Sequence, residues 1–142
     1  MPHATVLTHQ LATGAPTGVG RYARELIDAY GRVAAEAGWR IDVGTSPEDG
    51  VPVLPAGMGL HRLPRPRKLT HAALTAGAPV PVDRWIGRPD LVHQLNPWVP
   101  LPSRAPAVVT IHDLMPLLHP EWFSARHRLK FGAVLRHLRR SA

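Results

Sequence analysis

The 142-residue chain contains no cysteine, which excludes disulfides and thiolate-held metal ions. No stretch approaches the ~18 apolar residues of a membrane span. The opening MPHATVLTHQL lacks the basic start, long apolar core and small-residue cleavage site of a secretory leader, so a cytoplasmic protein is expected. No G-x-S-x-G occurs, which removes the nucleophile elbow of a serine hydrolase. No Gly-Lys-Ser/Thr follows the glycine-rich segment, which removes a P-loop.

Acidic residues are missing from the C-terminal segment, which is also rich in Lys and Arg. Residues 1–121 hold 11 Lys/Arg against 10 Asp/Glu, whereas the last 21 residues hold six Lys/Arg and no acid. The net charge of +7 is therefore local to the C-terminal segment and not a field over the whole surface. With no nucleic-acid-binding module and no basic–aromatic interleaving, nucleic acid is not an expected partner. Nine histidines are present, yet no H-E-x-x-H or comparable ligand spacing occurs. His112, His119, His127 and His137 are too irregular to share one helical face. No metal is expected on this reading.

What is present reads as one α/β domain. A hydrophobic content of 44% and a charged content of 19% are those of a globular chain, and this length buries about two-thirds of its unfolded surface. Residues 5–11 read as a first strand, followed by the loop ATGAPTGVG. From Val19 the apolar positions Tyr22, Ala23, Leu26, Ile27, Tyr30, Val33, Ala34 and Ala37 fall on one helical face, with Gly38 placed to stop the helix. Residues 39–43 give a second strand. The order β-loop-α-β is the start of a parallel sheet.

The proline-rich middle supports only a short strand at 60–63 and a short helix at 69–76. Strand signals return at 89–93 and at 107–111, the latter a β-branched run that reads as a buried strand. Ser124, or the earlier Pro120-Glu121, opens a final helix. Its apolar stripe is Phe131, Val134, Leu135 and Leu138, flanked by Arg128, Arg136, Arg139 and Arg140. The chain stops directly after this helix, where a parallel sheet normally continues, so an interrupted domain is expected.

Three constellations carry chemistry. In TGVGRYARELI, Gly18 and Gly20 lie between strand and helix, where backbone approaches a ligand closely and helix N–H groups meet a phosphate. Ala23 replaces the third glycine of a dinucleotide fingerprint, and the segment is equally a plain βα turn; Arg21 is an anion ligand or a solvated first-turn residue. His112-Asp113 ends the strand at 107–111, on the edge where open α/β sheets bind ligands. There His112 suits holding a substrate hydroxyl or buffering a proton, and Asp113 either orients it or caps the next turn; a structural polar pair is the alternative. Asp90-Leu-Val-His93 with Asn96, Pro97 and Trp98 pairs a strand end with amide and aromatic groups, which suit sugars; a satisfied histidine and a packed tryptophan are the alternative.

Together these motifs resemble the N-terminal domain of a GT-B glycosyltransferase of the family 4 type. Such domains read G-[IV]-G-R-Y-x-R-E-L after the first strand, as does Gly18-Val-Gly-Arg-Tyr-Ala-Arg-Glu-Leu26 here. They carry a D-[LV]-[VI]-H strand end with an Asn-Pro-like loop, matched by Asp90-Leu-Val-His93 and Asn96. They carry [VT]-x-H-D-[LI]-x-P-x-x-x-P-E-x-F, matched by Thr110 to Phe123. The resemblance implies two Rossmann-like domains facing a cleft and retaining hexose transfer from a nucleotide-diphosphate sugar to a glycan or lipid-linked acceptor, without a metal or other cofactor. It places Gly18, Gly20 and Arg21 at the donor diphosphate, His112 at the donor sugar with Asp113 supporting it, and His93, Asn96 and Trp98 on the acceptor side. The second, donor-gripping domain with its paired glutamates is not in this sequence. Activity is therefore expected only with that domain supplied, as by a separate chain. The basic helix 124–140 is a candidate for peripheral contact with the inner membrane face. A different class remains open: a non-catalytic module docking through that helix on a membrane or acidic partner, or a non-functional remnant.

Overall fold

The structure, a computed structural model, describes residues 1–8, 17–49, 52–64, 82–95 and 103–141. Its centre is a five-stranded, all-parallel sheet, an α/β Rossmann-like arrangement. The strands are β1 (His3–Leu7), β2 (Arg40–Thr45), β3 (Leu60–Arg62), β4 (Leu91–Gln94) and β5 (Ala107–Val109). Their order across the sheet is β3-β2-β1-β4-β5. The chain thus builds outwards in one direction from β1, then returns to β1 and builds in the other. Helix α1 (Gly18–Val33) connects β1 to β2; a short α2 (Met115–Leu118) and a longer α3 (Ala125–Ser141) follow β5.

Both faces of β1, β2 and β4 are covered. Alternate strand residues point to opposite faces. Ala4, Val6, Ile41 and Val43 meet Ala23, Ile27 and Ala34 from α1 and its C-terminal turn, together with Leu95. Leu7 and Val92 point the other way and pack with Leu63, Val82 and Ile86. That second cover is the segment around the one-turn 3₁₀ helix Asp83–Trp85, fastened to β1 by the Thr5 hydroxyl donating to the Ile86 carbonyl at 2.8 Å.

Helix α1 follows its sequence pattern closely. Thr17 caps it, its hydroxyl accepting from the Gly20 N–H at 3.2 Å. Helical hydrogen bonding runs on past Val33 and closes in a Schellman motif, with Trp39 N–H on the Ala34 carbonyl and Gly38 N–H on the Ala35 carbonyl. Gly38 takes the left-handed φ of +69° that this closure needs. The apolar face is buried along its centre at Ala23 and Ile27, while Tyr22 and Val33 at its margins stay exposed.

Several elements differ from the sequence reading. β1 starts and ends earlier than residues 5–11, because its register follows β2 from His3 opposite Arg40. The run at 107–111 is not a buried strand. β5 comprises only Ala107–Val109, lies at the sheet edge, and leaves Val108 47% exposed. Its β-branched residues satisfy one ladder with β4, but among the described residues no neighbour covers its other side. The helix at 69–76 lies outside the described residues. Ser124 does cap α3, its hydroxyl accepting from the His127 N–H, while Pro120–Trp122 forms a separate 3₁₀ turn. Phe131 and Val134 of the expected stripe are buried. Among the described residues, no helix is long and apolar enough to cross a membrane.

Asp83 is the tie between the covering segment and β5. Its carboxylate accepts from the Ser103 hydroxyl and from the Arg104 and Ala105 N–H groups. Burial pushes this carboxyl up, but those donors outweigh burial and hold it below the usual carboxylate range. Asp83→Ala, read by urea unfolding at pH 7, is expected to cost about 1 kcal/mol, because its donors are only partly buried and water replaces part of what they lose. A depressed carboxyl lends stability that is complete above its unfolded value near 3.8 and is lost as pH falls through the folded one. The gap between wild type and variant should accordingly close below pH 3.8.

Candidate functional site

In an open parallel sheet, adjacent strands whose connections leave in opposite directions open a crevice at their carboxyl ends, and ligands bind there. Here that switch point lies between β1 and β4. Helix α1 begins beyond the end of β1, and Leu95 lies just past β4. These two elements bound the crevice.

His112 sits against both of them. Its Nε2–H donates to the Leu95 carbonyl at 2.7 Å, and its ring meets the edge of Tyr22 in the first turns of α1, centroids 5.0 Å apart. The sequence gives no hint of the Tyr22 contact, since 90 residues separate the two. With Nε2 as donor, Nδ1 carries the lone pair and has no partner among the described residues. His112 is exposed, so a ligand hydroxyl can reach that nitrogen.

Asp113 does not turn towards His112. Its Oδ1 accepts from the Met115 N–H at 2.6 Å and starts α2. Of the two roles the sequence allows, the structure assigns the cap, because Pro116 bends the chain and leaves a backbone donor that a short acidic side chain reaches first.

Gly18 and Gly20 form the first turn of α1, where the Gly20 N–H is taken by the Thr17 hydroxyl. At Gly18 an added side chain would meet nothing within 4 Å, so the backbone here is open to an incoming group. Arg21 is engaged elsewhere: its Nε donates to Glu25 one turn along at 2.8 Å, on the exposed side of the helix. Such an exposed pair adds little stability. At the end of β2 the hydroxyls of Thr45 and Ser46 are buried and make no hydrogen bond to any described residue. Buried hydroxyls without partners are costly, and these two sit at the carboxyl edge.

His93 is a satisfied histidine. Nδ1 meets the Tyr30 hydroxyl and Nε2 the Thr110 hydroxyl, both at 2.9 Å. It joins α1, β4 and the end of β5 beneath the crevice. Burial holds its pKa below the ordinary 6.5, so it is neutral at physiological pH, one ring nitrogen donating and the other accepting. Asn96 and Trp98 lie outside the described residues. Of the sequence-derived set, the structure thus brings together the glycine turn, His112 and, one layer below, His93.

A second cluster was not visible as a motif. Asp42, fully buried on β2, accepts from Arg40 of the same strand and from the Gly59 N–H, and its Oδ2 lies 3.1 Å from His3 Nε2 and 2.9 Å from His61 Nε2. Burial pushes this carboxyl up, but the hydrogen bonds from Arg40, His61 and Gly59 and the Arg40 charge win, holding it at about 2. The ligating types stand 39 and 19 residues apart, a spacing no sequence template contains.

Comparison with models of known protein families, with curated proteins and with solved structures found no match.

Because the folded state resists protonating His93, stability contributed by the neutral ring is lost as pH falls through the unfolded value of 6.5. Wild type is expected to lose more unfolding free energy than His93→Gln between pH 7.5 and 5. The difference between the two urea midpoints at each pH reads it directly.

Proposed function

We propose that this chain is the acceptor-side, Rossmann-like domain of a retaining glycosyltransferase, moving a hexose from a nucleotide-diphosphate sugar to a glycan or lipid-linked acceptor. The observation that carries the reading is the placement of His112. It stands over the β1/β4 switch point, braced by the Leu95 carbonyl and Tyr22 and presenting an Nδ1 that no described residue engages. The ordered likeness of three sequence segments to the family 4 pattern supports the same assignment, and two of those segments converge on this crevice.

In this reading the open first turn of α1 at Gly18 and Gly20 faces the donor diphosphate, using N–H groups and the helix-end potential. Arg21 lies one residue further and would have to leave Glu25 to join them. His112 holds a hydroxyl of the donor sugar close to the reacting carbon; the Leu95 carbonyl fixes its tautomer so that Nδ1 accepts. Asp113 acts indirectly, by starting α2 and setting the angle at which His112 leaves β5. His93 supports the crevice floor through Tyr30 and Thr110, and acceptor contacts fall to residues 96–98. Gripping of the nucleotide and closure over the sugar belong to a second domain. Peripheral contact of the basic α3 with an anionic membrane surface would bring a lipid-linked acceptor near.

The test is transfer by the chain combined with a donor-gripping domain, assayed with UDP-glucose and GDP-mannose as donors. His112→Ala is expected to lower the transfer rate about a hundredfold or more, the usual cost of losing one preorganised polar contact at a reacting centre, while the thermal midpoint stays within a few degrees. Asp113→Asn, which keeps an oxygen for the Met115 N–H, is expected to lose far less. Undiminished turnover in His112→Ala would remove His112 from the mechanism.

A further inference from the structure

On the sheet face opposite α1, three neighbouring strands aim polar side chains at one point. Thr5 pairs with Asp42 and Gly44 with His61, so His3, Asp42 and His61 all project from the same face by the two-residue alternation. His3 and His61 flank Asp42 diagonally, one from each adjacent strand. Their three potential ligand atoms, two imidazole nitrogens and a carboxylate oxygen, lie within 4.8 Å of one another.

We propose that His3, Asp42 and His61 form a binding site for a single divalent ion of the zinc class. Two imidazoles and one carboxylate are the donor set of a borderline ion, and not of calcium or magnesium, which take oxygen ligands. At metal–ligand distances of about 2.0–2.1 Å, ligands around a tetrahedral ion stand about 3.3 Å apart. The two nitrogen-to-oxygen separations here are 3.1 and 2.9 Å, so small rotations of the imidazoles admit the ion. Three protein ligands leave the fourth position to water.

The surroundings are arranged around that point. The Gly59 N–H donates to Asp42 Oδ1 at 2.9 Å, which fixes the carboxylate and leaves Oδ2 towards both histidines, as outer partners of metal ligands do. Gly87, with a left-handed φ of +84°, roofs the pair. A side chain there would fall 2.8 Å from His3 Cε1 and 2.9 Å from His61 Nε2, so only a glycine lets the backbone pass over the two rings. An ion reaches the buried Asp42 past the two histidines, whose side chains are 14% and 24% exposed.

Arg40 completes the picture. Its Nη2 lies 2.8 Å from Asp42 Oδ2, so the guanidinium competes with an ion for that oxygen. Its side chain is 54% exposed and can swing into water when a doubly charged ion takes its place. Bound there, the ion clips β1, β2 and β3 beneath the turn at Gly87, on the opposite sheet face from α1.

The untagged full chain, stripped with chelator and titrated with Zn²⁺ by calorimetry and with Co²⁺ by visible absorption, tests this. One ion per chain is expected, with the intense visible bands of four-coordinate Co²⁺ and a zinc-dependent rise in the thermal midpoint. His61→Ala, a change on the short edge strand β3, should weaken binding at least about tenfold, whereas His119→Ala at an exposed surface pair should leave it unchanged. Arg40→Ala should tighten it. No stoichiometric binding by the wild-type chain would overturn the proposal. So would binding that His61→Ala leaves intact, or that Arg40→Ala abolishes.

Discussion

Parallel pairing of β1 with strands on both sides is the constraint on which the rest depends. Parallel neighbours cannot be joined by a tight turn, so every connection must cross a face of the sheet. The first crossing is α1, which buries Ala23 and Ile27 against β1 and β2. The chain then returns to the far side of β1, and that reversal opens the crevice beside the start of α1. The site is thus a by-product of topology before any chemical group is placed in it.

Helix α1 serves both the fold and the site. Its inward face closes the core, Tyr30 holds His93 from above, and Tyr22 braces His112. Two aromatic residues, eight positions apart along one helix, therefore set two histidines, one on β4 and one in the segment that follows β5. The sheet's other face uses a different device. There a buried carboxylate gathers two imidazoles, a guanidinium and a backbone N–H from β1, β2, β3 and the turn before β3. Isolating such a charge by removing its partners is costly, which makes Asp42 the polar centre of an otherwise apolar layer.

The parts of this architecture legible in the sequence are those encoded locally. The period of α1, its glycine stop and the strand end at His112 are written in consecutive residues, and each is found within a few positions of its reading. β5 misleads because β-branched residues report pairing along a ladder and not coverage of the strand's faces. Asp113 stays undecided in the sequence because two acceptable roles compete, and the nearest backbone donor decides between them. The contact of Tyr22 with His112 and the gathering of His3 and His61 around Asp42 depend on register across strands. No spacing along the chain carries that information, so an inventory of histidine spacings passes over the cluster that three adjacent strands assemble.

The account stands or falls on whether the β1/β4 crevice takes a nucleotide-diphosphate sugar. Backbone and imidazole NMR signals of the labelled full chain, combined with an unlabelled donor-gripping domain and followed during titration with UDP-glucose and then GDP-mannose, test this most directly. The account predicts that residues 17–22, Leu95 and the His112 ring shift together and saturably, while β3 and the Asp42 cluster stay still. No shift with either nucleotide sugar, or shifts confined to the sheet face that carries Asp42, would contradict it.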